Sequence, residues 1–114
     1  MSRAAEERPS KVAVDALLAD LAPLPVRARA MFGGYGLYME DVFFGIVTSE
    51  GEVYFRTDDA TRPEYEVAGM RPFQPNNRPS GPKAMPRNFQ VPQHVREDQA
   101  TLRDWAARAA TARR

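Results

Sequence analysis

The segment that most constrains the fold is the glycine-rich run at residues 31–38, with the sequence MFGGYGLY. A second run of strand-forming residues, 42–47, follows after the polar pair Glu40-Asp41. Two such runs joined by two polar residues are typical of a β-hairpin. Glycine inside a strand usually marks a bulge, a bend or the close approach of another backbone. Three glycines in four positions therefore predict a strongly bent first strand that curls over the preceding helix.

The same run invites comparison with the glycine-rich loops that bind phosphates. Those loops need a helix that begins directly after them, so that its first N–H groups face the anion. Strand-like sequence follows here instead, without the Gly-Lys-Ser/Thr of a nucleotide loop. The sequence therefore favours a structural role for the glycines. One functional alternative stays open, a partner-docking surface formed by Gly33, Gly34, Tyr35 and Gly36.

The composition excludes several kinds of catalytic site. The chain has no cysteine and a single histidine, His94, which excludes disulfides, thiolate zinc sites, cysteine nucleophiles and histidine-rich metal sites. No serine lies in a nucleophile-elbow context. We expect His94 to be a surface or cap residue, and we expect no catalytic residue, no metal site and no cofactor. Chemistry by carboxylates alone stays open as an enzyme alternative.

Charge is unevenly distributed although the net charge is only +1. Residues 1–70 contain seven Lys/Arg and twelve Asp/Glu, a net −5, whereas residues 71–114 contain nine and three, a net +6. Such asymmetry is found in proteins with a basic face for nucleic acid or an acidic partner. It is equally expected where the two halves of a chain pack together and neutralise each other, and we favour this second interpretation.

The length and the N-terminus bear on domain organisation and location. The 114 residues are enough for one domain, and no apolar run approaches the roughly 20 residues of a membrane-spanning helix. The first eight residues are charged and lack the apolar core of a signal peptide. We predict a cytoplasmic protein with a disordered lead-in over residues 1–9 and one domain over residues 10–114.

The first half of the chain predicts a helix followed by a three-stranded meander. Ser10 is the predicted cap of a helix that runs to about Ala22. The predicted turns are Glu40-Asp41 and residues 48–51, and the third strand is 52–57, with Val53 and Phe55 inward. The apolar stripe of the helix consists of Val14, Leu17, Leu18 and Leu21.

The second half predicts a short helix, two strands and a last helix. Thr61 and Glu64 fit a capping box for a helix over about residues 62–68. An edge strand at 70–73, an extended loop at about 74–82 and a last strand at 87–91 follow. Pro86 confines this last strand to an edge or to a strand start. The final helix begins at about Asp98. Its inward side chains, with those of the short helix, are Tyr65, Ala68, Leu102, Trp105, Ala106 and Ala109.

This order, α-β-β-β-α-β-β-α, predicts an α+β two-layer fold with a five-stranded antiparallel sheet and helices on one face. The residues also resemble a known family, the N-terminal domain of the TfoX/Sxy family, from about residue 11 to residue 110. The resemblance is carried by residues 29–38, Phe44-Gly45, residues 62–73 and Trp105-Ala106. At residues 83–91 the chain departs from the family pattern, with Phe89 as the only aromatic residue, so a short or irregular last strand is expected there.

The resemblance implies an α+β fold and a role outside catalysis. The family's best-known members are bacterial regulators of DNA-uptake competence that act with the catabolite-activator protein at promoters. They carry a second, helical domain proposed to bind DNA, and we expect these 114 residues to hold the N-terminal domain alone. Many other members are short, stand-alone domains.

Two functional hypotheses and one assembly hypothesis follow. The leading one is a small regulatory module without catalysis that binds a protein partner. The alternative is nucleic-acid binding through the basic half, with Phe73 and Phe89 as stacking surfaces. A homodimer formed by pairing of edge strands at 70–73 or 89–91 is the assembly hypothesis. The basic residues of the alternative are Arg71, Arg78, Lys83, Arg87, Arg103 and Arg108.

Overall fold

A computed structural model describes residues 8–31, 33–73 and 85–112. Within these residues the chain forms six strands in one antiparallel sheet, in the order β1-β2-β3-β4-β6-β5, and four helices. The α+β class is therefore confirmed. The helices are α1 (Pro9–Leu21), α2 (Arg62–Val67), α3 (Gln93–Arg96) and α4 (Gln99–Ala110). The strands are β1 (Val26–Met31), β2 (Gly34–Met39), β3 (Val42–Val47), β4 (Val53–Arg56), β5 (Pro72–Phe73) and β6 (Met85–Gln90).

The glycine-rich run contains a turn, which makes the predicted count of five strands wrong. The predicted single bent strand is in fact two strands, β1 and β2, paired from Val26↔Met39 to Met31↔Gly34. Gly33 has φ +79°, a left-handed value that glycine adopts without a steric cost, so the chain reverses within two residues. The glycines do mark an irregularity of the backbone, as predicted, but it is a chain reversal and not a bend within one strand.

The predicted hairpin at Glu40-Asp41 is confirmed. Both residues have positive φ, 48° and 73°, as a two-residue turn of type I′ requires. A bulge in the paired strands follows the turn: Tyr38 pairs with Phe43 and Leu37 with Gly45, which leaves Phe44 as the extra residue of β3.

The bulge allows the two consecutive residues of β3, Phe44 and Gly45, to serve the same face. Phe44 is completely buried and packs against Phe55, with ring centroids 5.5 Å apart. Gly45 lies between the side chains of Leu37 and Phe55, and a β-carbon there would come within 2.7 Å of the Tyr54 carbonyl oxygen. Glycine at position 45 therefore makes room for the phenylalanine beside it.

The core lies between this face of the sheet and the helices α1 and α4. Side chains from alternate strand positions contribute to it, while their neighbours along each strand lie on the opposite face. The buried apolar residues of the two helices form the other wall. Together these core residues include Val14, Leu17, Leu21, Leu37, Phe44, Phe55, Phe89, Leu102, Ala106 and Ala109.

The first helix begins two residues earlier than predicted, and Ser10 has another role. Arg8 is the N-cap and Pro9 occupies the first turn, where a missing N–H costs nothing. Ser10 is buried inside the helix, and its hydroxyl donates a hydrogen bond to the Gly33 carbonyl over 3.1 Å. The side chain therefore joins the start of α1 to the β1–β2 turn.

The predicted capping box of α2 is wrong. Thr61 makes no side-chain hydrogen bond to the helix, and Asp58 organises the turn before it. The Asp58 carboxylate accepts from the N–H groups of Ala60 and Thr61, and the Thr61 hydroxyl accepts from the Asp58 N–H. Of the two predicted inward residues, Tyr65 is buried and Ala68 is exposed.

Strand β6 was predicted to be short or irregular, with Pro86 confining it to an edge or a strand start. It has six residues and lies between β4 and β5, so the edge alternative is wrong, whereas Pro86 does lie at the start of the strand, as its second residue. The register shift in its pairing with β5 agrees with the predicted irregularity. Pro86 has no Cα partner in the register of either neighbour, so its missing N–H removes no ladder hydrogen bond. The sheet edges in the described part of the chain are β5, as predicted, and β1. Phe89 pairs with Pro72 of β5, and the Gln90 N–H donates to the Arg71 carbonyl, so neither residue lies at a sheet edge. The homodimer itself stays a prediction.

The remaining predictions concern the last helix, the termini and the loop. The predicted start of the last helix at about Asp98 is confirmed, and Asp98 caps α4 by accepting from the Thr101 N–H. Trp105 is half-buried beside the core. The predicted extended loop at 74–82 and most of the predicted lead-in lie outside the described residues. None of the helices in the described ranges is long and apolar enough to cross a membrane.

We predict that Gly45→Ala destabilises the domain by about 3 kcal/mol, at the upper end of the cost of overpacking, because the new methyl group meets backbone. Gly69→Ala is the control: Gly69 has φ +79° and open space around a β-carbon, so only the left-handed conformation costs free energy, about 1 kcal/mol. Urea denaturation of both variants measures the difference. Equal destabilisation would contradict the steric role of Gly45.

Candidate binding surfaces

The predicted docking surface around the glycines is mostly packed into the sheet. Gly34 and Gly36 are buried, Tyr35 is half-buried against the core, and Gly33 is exposed in the turn. A β-carbon at Gly34 would meet the backbone of Val47. What a partner can reach here is Gly33 and part of Tyr35, and whether one binds there stays a prediction.

The predicted basic patch does not form one surface among the described residues. Arg78 and Lys83 lie outside the described ranges. Arg71 and Arg87 are exposed on the sheet, whereas Arg103 and Arg108 belong to α4 in the helix layer. The Arg103 Nε donates to the Asp20 carbonyl over 3.2 Å, which joins α4 to α1.

Arg108 forms a bidentate ion pair with Glu64. Its Nη1 and Nη2 donate to the two carboxylate oxygens of Glu64 over 2.6 and 2.9 Å. The guanidinium also lies 5.7 Å from the ring centroid of Trp105, and its Nε donates to Asp104. Hydrogen bonding to Arg108 holds the pKa of Glu64 below its usual range.

The aromatic rings beside this pair complete a junction between α2, α4 and β6. Tyr65 packs edge-on against Trp105 at 4.6 Å and against Phe89 at 6.0 Å. Burial raises the pKa of Tyr65 well above its ordinary value. Arg108 and Glu64 therefore act as a structural clamp. Sequence reasoning missed it because the two residues are 44 positions apart.

The face of the sheet away from the helices combines arginine and aromatic side chains. Phe73 packs edge-on against Tyr54 with centroids 5.1 Å apart, and Tyr38 lies 5.4 Å from Phe43. Burial, together with the nearby charge of Glu52, raises the pKa of Tyr54 to about 12. The Arg56 Nη1 donates to the Phe43 carbonyl over 3.2 Å.

Two arginines at the sheet edge were not singled out as functional residues. Arg27 and Arg29 are exposed on β1, and strand alternation places both on the face away from the helices. Arg27 forms an exposed ion pair with Asp41 over 2.8 Å. The signal in the sequence is the alternation of arginine with alanine at residues 27–30.

A shallow cleft lies where α1 meets the α3–α4 junction. Asp20, Arg96, Glu97, Asp98, Gln99 and Ala100 line it. Burial lowers the pKa of Arg96, and its Nε has no hydrogen-bond partner. The described residues contain no group of three or more His, Asp or Glu side chains placed to hold a metal ion. His94 is exposed on α3, as expected.

Comparison with known proteins bears on the family. The family model described as the TfoX N-terminal domain matches residues 16–113, nearly the whole chain. A comparison with curated proteins gave no match. The match covers all six strands, the second half of α1 and the other three helices.

We predict a coupling free energy of about 0.5–1 kcal/mol between Glu64 and Arg108, since both side chains are more than one-third exposed. A double-mutant cycle with Glu64→Gln and Arg108→Gln, followed by urea denaturation at pH 7, measures it. The folded-state pKa of Glu64 is lowered, so the contribution is complete above the ordinary carboxyl pKa of about 4.3 and is lost as pH falls through the lowered value.

The control cycle pairs Lys11→Gln with Asp15→Asn, an ion pair four residues apart on α1 with both side chains more than half exposed. We expect at most about half the coupling there. Equal coupling in the two cycles, or a Glu64–Arg108 coupling that grows below pH 4, would contradict the clamp.

Proposed function

Because the chain belongs to the TfoX N-terminal domain family, we propose that it is a small interaction module without catalysis. In this proposal it acts in transcriptional or competence regulation by binding another protein in the cytoplasm. The observation that carries the protein-binding part is strand β1, a six-residue edge strand with a second side that no strand of the described chain covers. Edge strands of this length are ready templates for another chain.

The uses of the acidic side chains support a role outside catalysis. Asp58 and Asp98 organise the starts of α2 and α4, and Glu64 is held by Arg108. Each of these carboxylates already has a structural task. The absence of cysteine and the exposed position of the single histidine agree with the same proposal.

The nucleic-acid alternative has less support from the described residues. Phe89, one of the two expected stacking residues, is buried in the core, and Phe73 packs against Tyr54. Arg103 and Arg108 hold helices together, on the opposite side of the sheet from Arg71. A protein partner at the β1 edge is therefore the better-supported proposal.

A photo-crosslinking experiment tests the proposal. We predict that p-benzoylphenylalanine at position 30, on exposed β1, forms an adduct with one defined protein in cells of the source organism. The same group at position 67 on α2, where Val67 is 90% exposed, is the control and should give no such adduct. Mass spectrometry of the purified adducts measures both.

The outcomes separate the proposal from its rivals. An adduct with nucleic acid at position 30, without a protein adduct at either position, would overturn the proposed function. A protein adduct at position 67 alone would keep the proposed function and remove β1 from it. For the regulatory part, deletion of the gene is expected to change the transcript levels of a defined set of genes.

A further inference from the structure

The side of β1 that no strand of the described chain covers presents a defined set of backbone groups. In an antiparallel ladder, residues alternate between pairs that exchange hydrogen bonds and pairs that do not. Met31 and Gly34 close the two-residue turn as a hydrogen-bonded pair, so Arg27 and Arg29 also direct their N–H and C=O groups toward β2. Ala28 and Ala30 therefore direct theirs outward.

One further outward group of β1 is already bonded. The Val26 N–H donates to the Leu24 carbonyl over 2.8 Å, which leaves the Val26 carbonyl as an acceptor at the start of the edge. Val26, Ala28 and Ala30 thus present backbone hydrogen-bonding groups outward, and two of these residues have small side chains. An incoming strand meets no large side chain from Ala28 or Ala30.

The charges along the same edge are of one sign. Arg27 and Arg29 lie two residues apart on one face of β1, about 7 Å from each other along the strand. Arg29 is exposed and has no ion pair with any other described residue. The Arg27–Asp41 pair has side chains 65% and 90% exposed, a setting in which an ion pair contributes little.

From these observations we propose that β1 binds an extended acidic segment of another protein as an added strand. Carboxylates at alternate positions of that segment face Arg27 and Arg29, while its backbone pairs with Ala28 and Ala30. Main-chain hydrogen bonds give affinity in this mode of recognition, and alternate side chains give specificity. The inference rests on the proposed function and specifies its partner.

The same arginines disfavour a second copy as the occupant. When two β1 strands pair so that both helix layers lie on one side of the joined sheet, residues of equal face meet, and arginine faces or flanks arginine. Charged residues on an edge strand are a known means of preventing such self-pairing. Arg27 and Arg29 attract an acidic strand, whereas they repel the same arginines of a second copy.

The experiment measures fluorescence anisotropy of a labelled eight-residue peptide in which glutamate alternates with valine, titrated with the full chain. We expect saturable binding that weakens as salt rises, because exposed charge pairs are screened. A peptide with lysine in place of glutamate should not bind. Arg27→Glu with Arg29→Glu is expected to weaken binding at least about tenfold.

Two controls separate edge pairing from general electrostatics. Arg87→Glu reverses an exposed arginine on β6 and is expected to leave binding within about twofold of the unchanged chain. Ala28→Pro removes an outward N–H but leaves both arginines, and should weaken binding. A peptide methylated at alternate backbone nitrogens makes the same test on the unchanged chain, whether or not the proline variant folds.

Several results would overturn the inference. The first is that the glutamate peptide does not bind. The second is that the lysine peptide or the methylated peptide binds as tightly as the glutamate peptide. The third is that Arg87→Glu weakens binding as much as the double reversal of Arg27 and Arg29. Tighter binding of single-stranded oligouridine than of the glutamate peptide would replace a protein partner by nucleic acid. A dimer in sedimentation that the double reversal abolishes would replace it by a second copy. A crosslinked protein partner away from β1 would leave the proposed function standing without this inference.

Discussion

The packing of Phe44 beside Gly45 is the constraint on which the rest of the fold depends. A sheet covered by helices on one side needs large apolar residues on that side of every central strand. The bulge in β3 delivers two consecutive residues to this side, and Gly45 gives up its side chain so that Phe44 and Phe55 meet at the centre. Helices α1 and α4 then close over that pair with small and branched side chains.

Charged residues in the helix layer hold this arrangement together. Arg108 ties α4 to α2, and Arg103 ties α4 to α1 through a backbone carbonyl. The Gln99 amide also donates to the Asp20 carboxylate. Residues of the basic second half therefore contact residues of the acidic first half in the folded chain. This agrees with the interpretation that the two halves neutralise each other by packing.

Local signals in the sequence were sufficient to predict an element where the residues at that position favour one backbone conformation. The turn at Glu40-Asp41, the start of the last helix at about Asp98 and the apolar stripe of α1 all follow from neighbours within four residues. The fold class followed from the order of such elements. The partner-docking role assigned to residues 33–36 is a different matter, because no local pattern distinguishes a glycine that binds from one that packs.

The errors share a cause, which is that contacts distant in sequence decided the outcome. The Gly33 carbonyl in the β1–β2 turn accepts a hydrogen bond from Ser10, 23 residues earlier, whereas the sequence pattern predicted Ser10 to be a helix cap. Pro86 is tolerated inside the sheet because the register of β5 shifts around it, which no local rule reveals. Glu64 was predicted to be part of a capping box, but the packing of α2 against α4 brings Arg108 beside it, and Arg108 binds its carboxylate.

The same distant contacts explain why an edge strand can serve as a template. The chain enters β1 through the hydrogen bond between Leu24 and Val26, and leaves it at a turn that Ser10 joins to α1. Both ends of the strand are therefore fixed before any partner arrives. A preformed strand saves a partner the entropy of ordering the receiving backbone, so most of the ordering cost falls on the incoming segment. Favourable charge pairs at Arg27 and Arg29 then help to offset that remaining cost, which is why a strongly acidic segment suits this edge better than a neutral one.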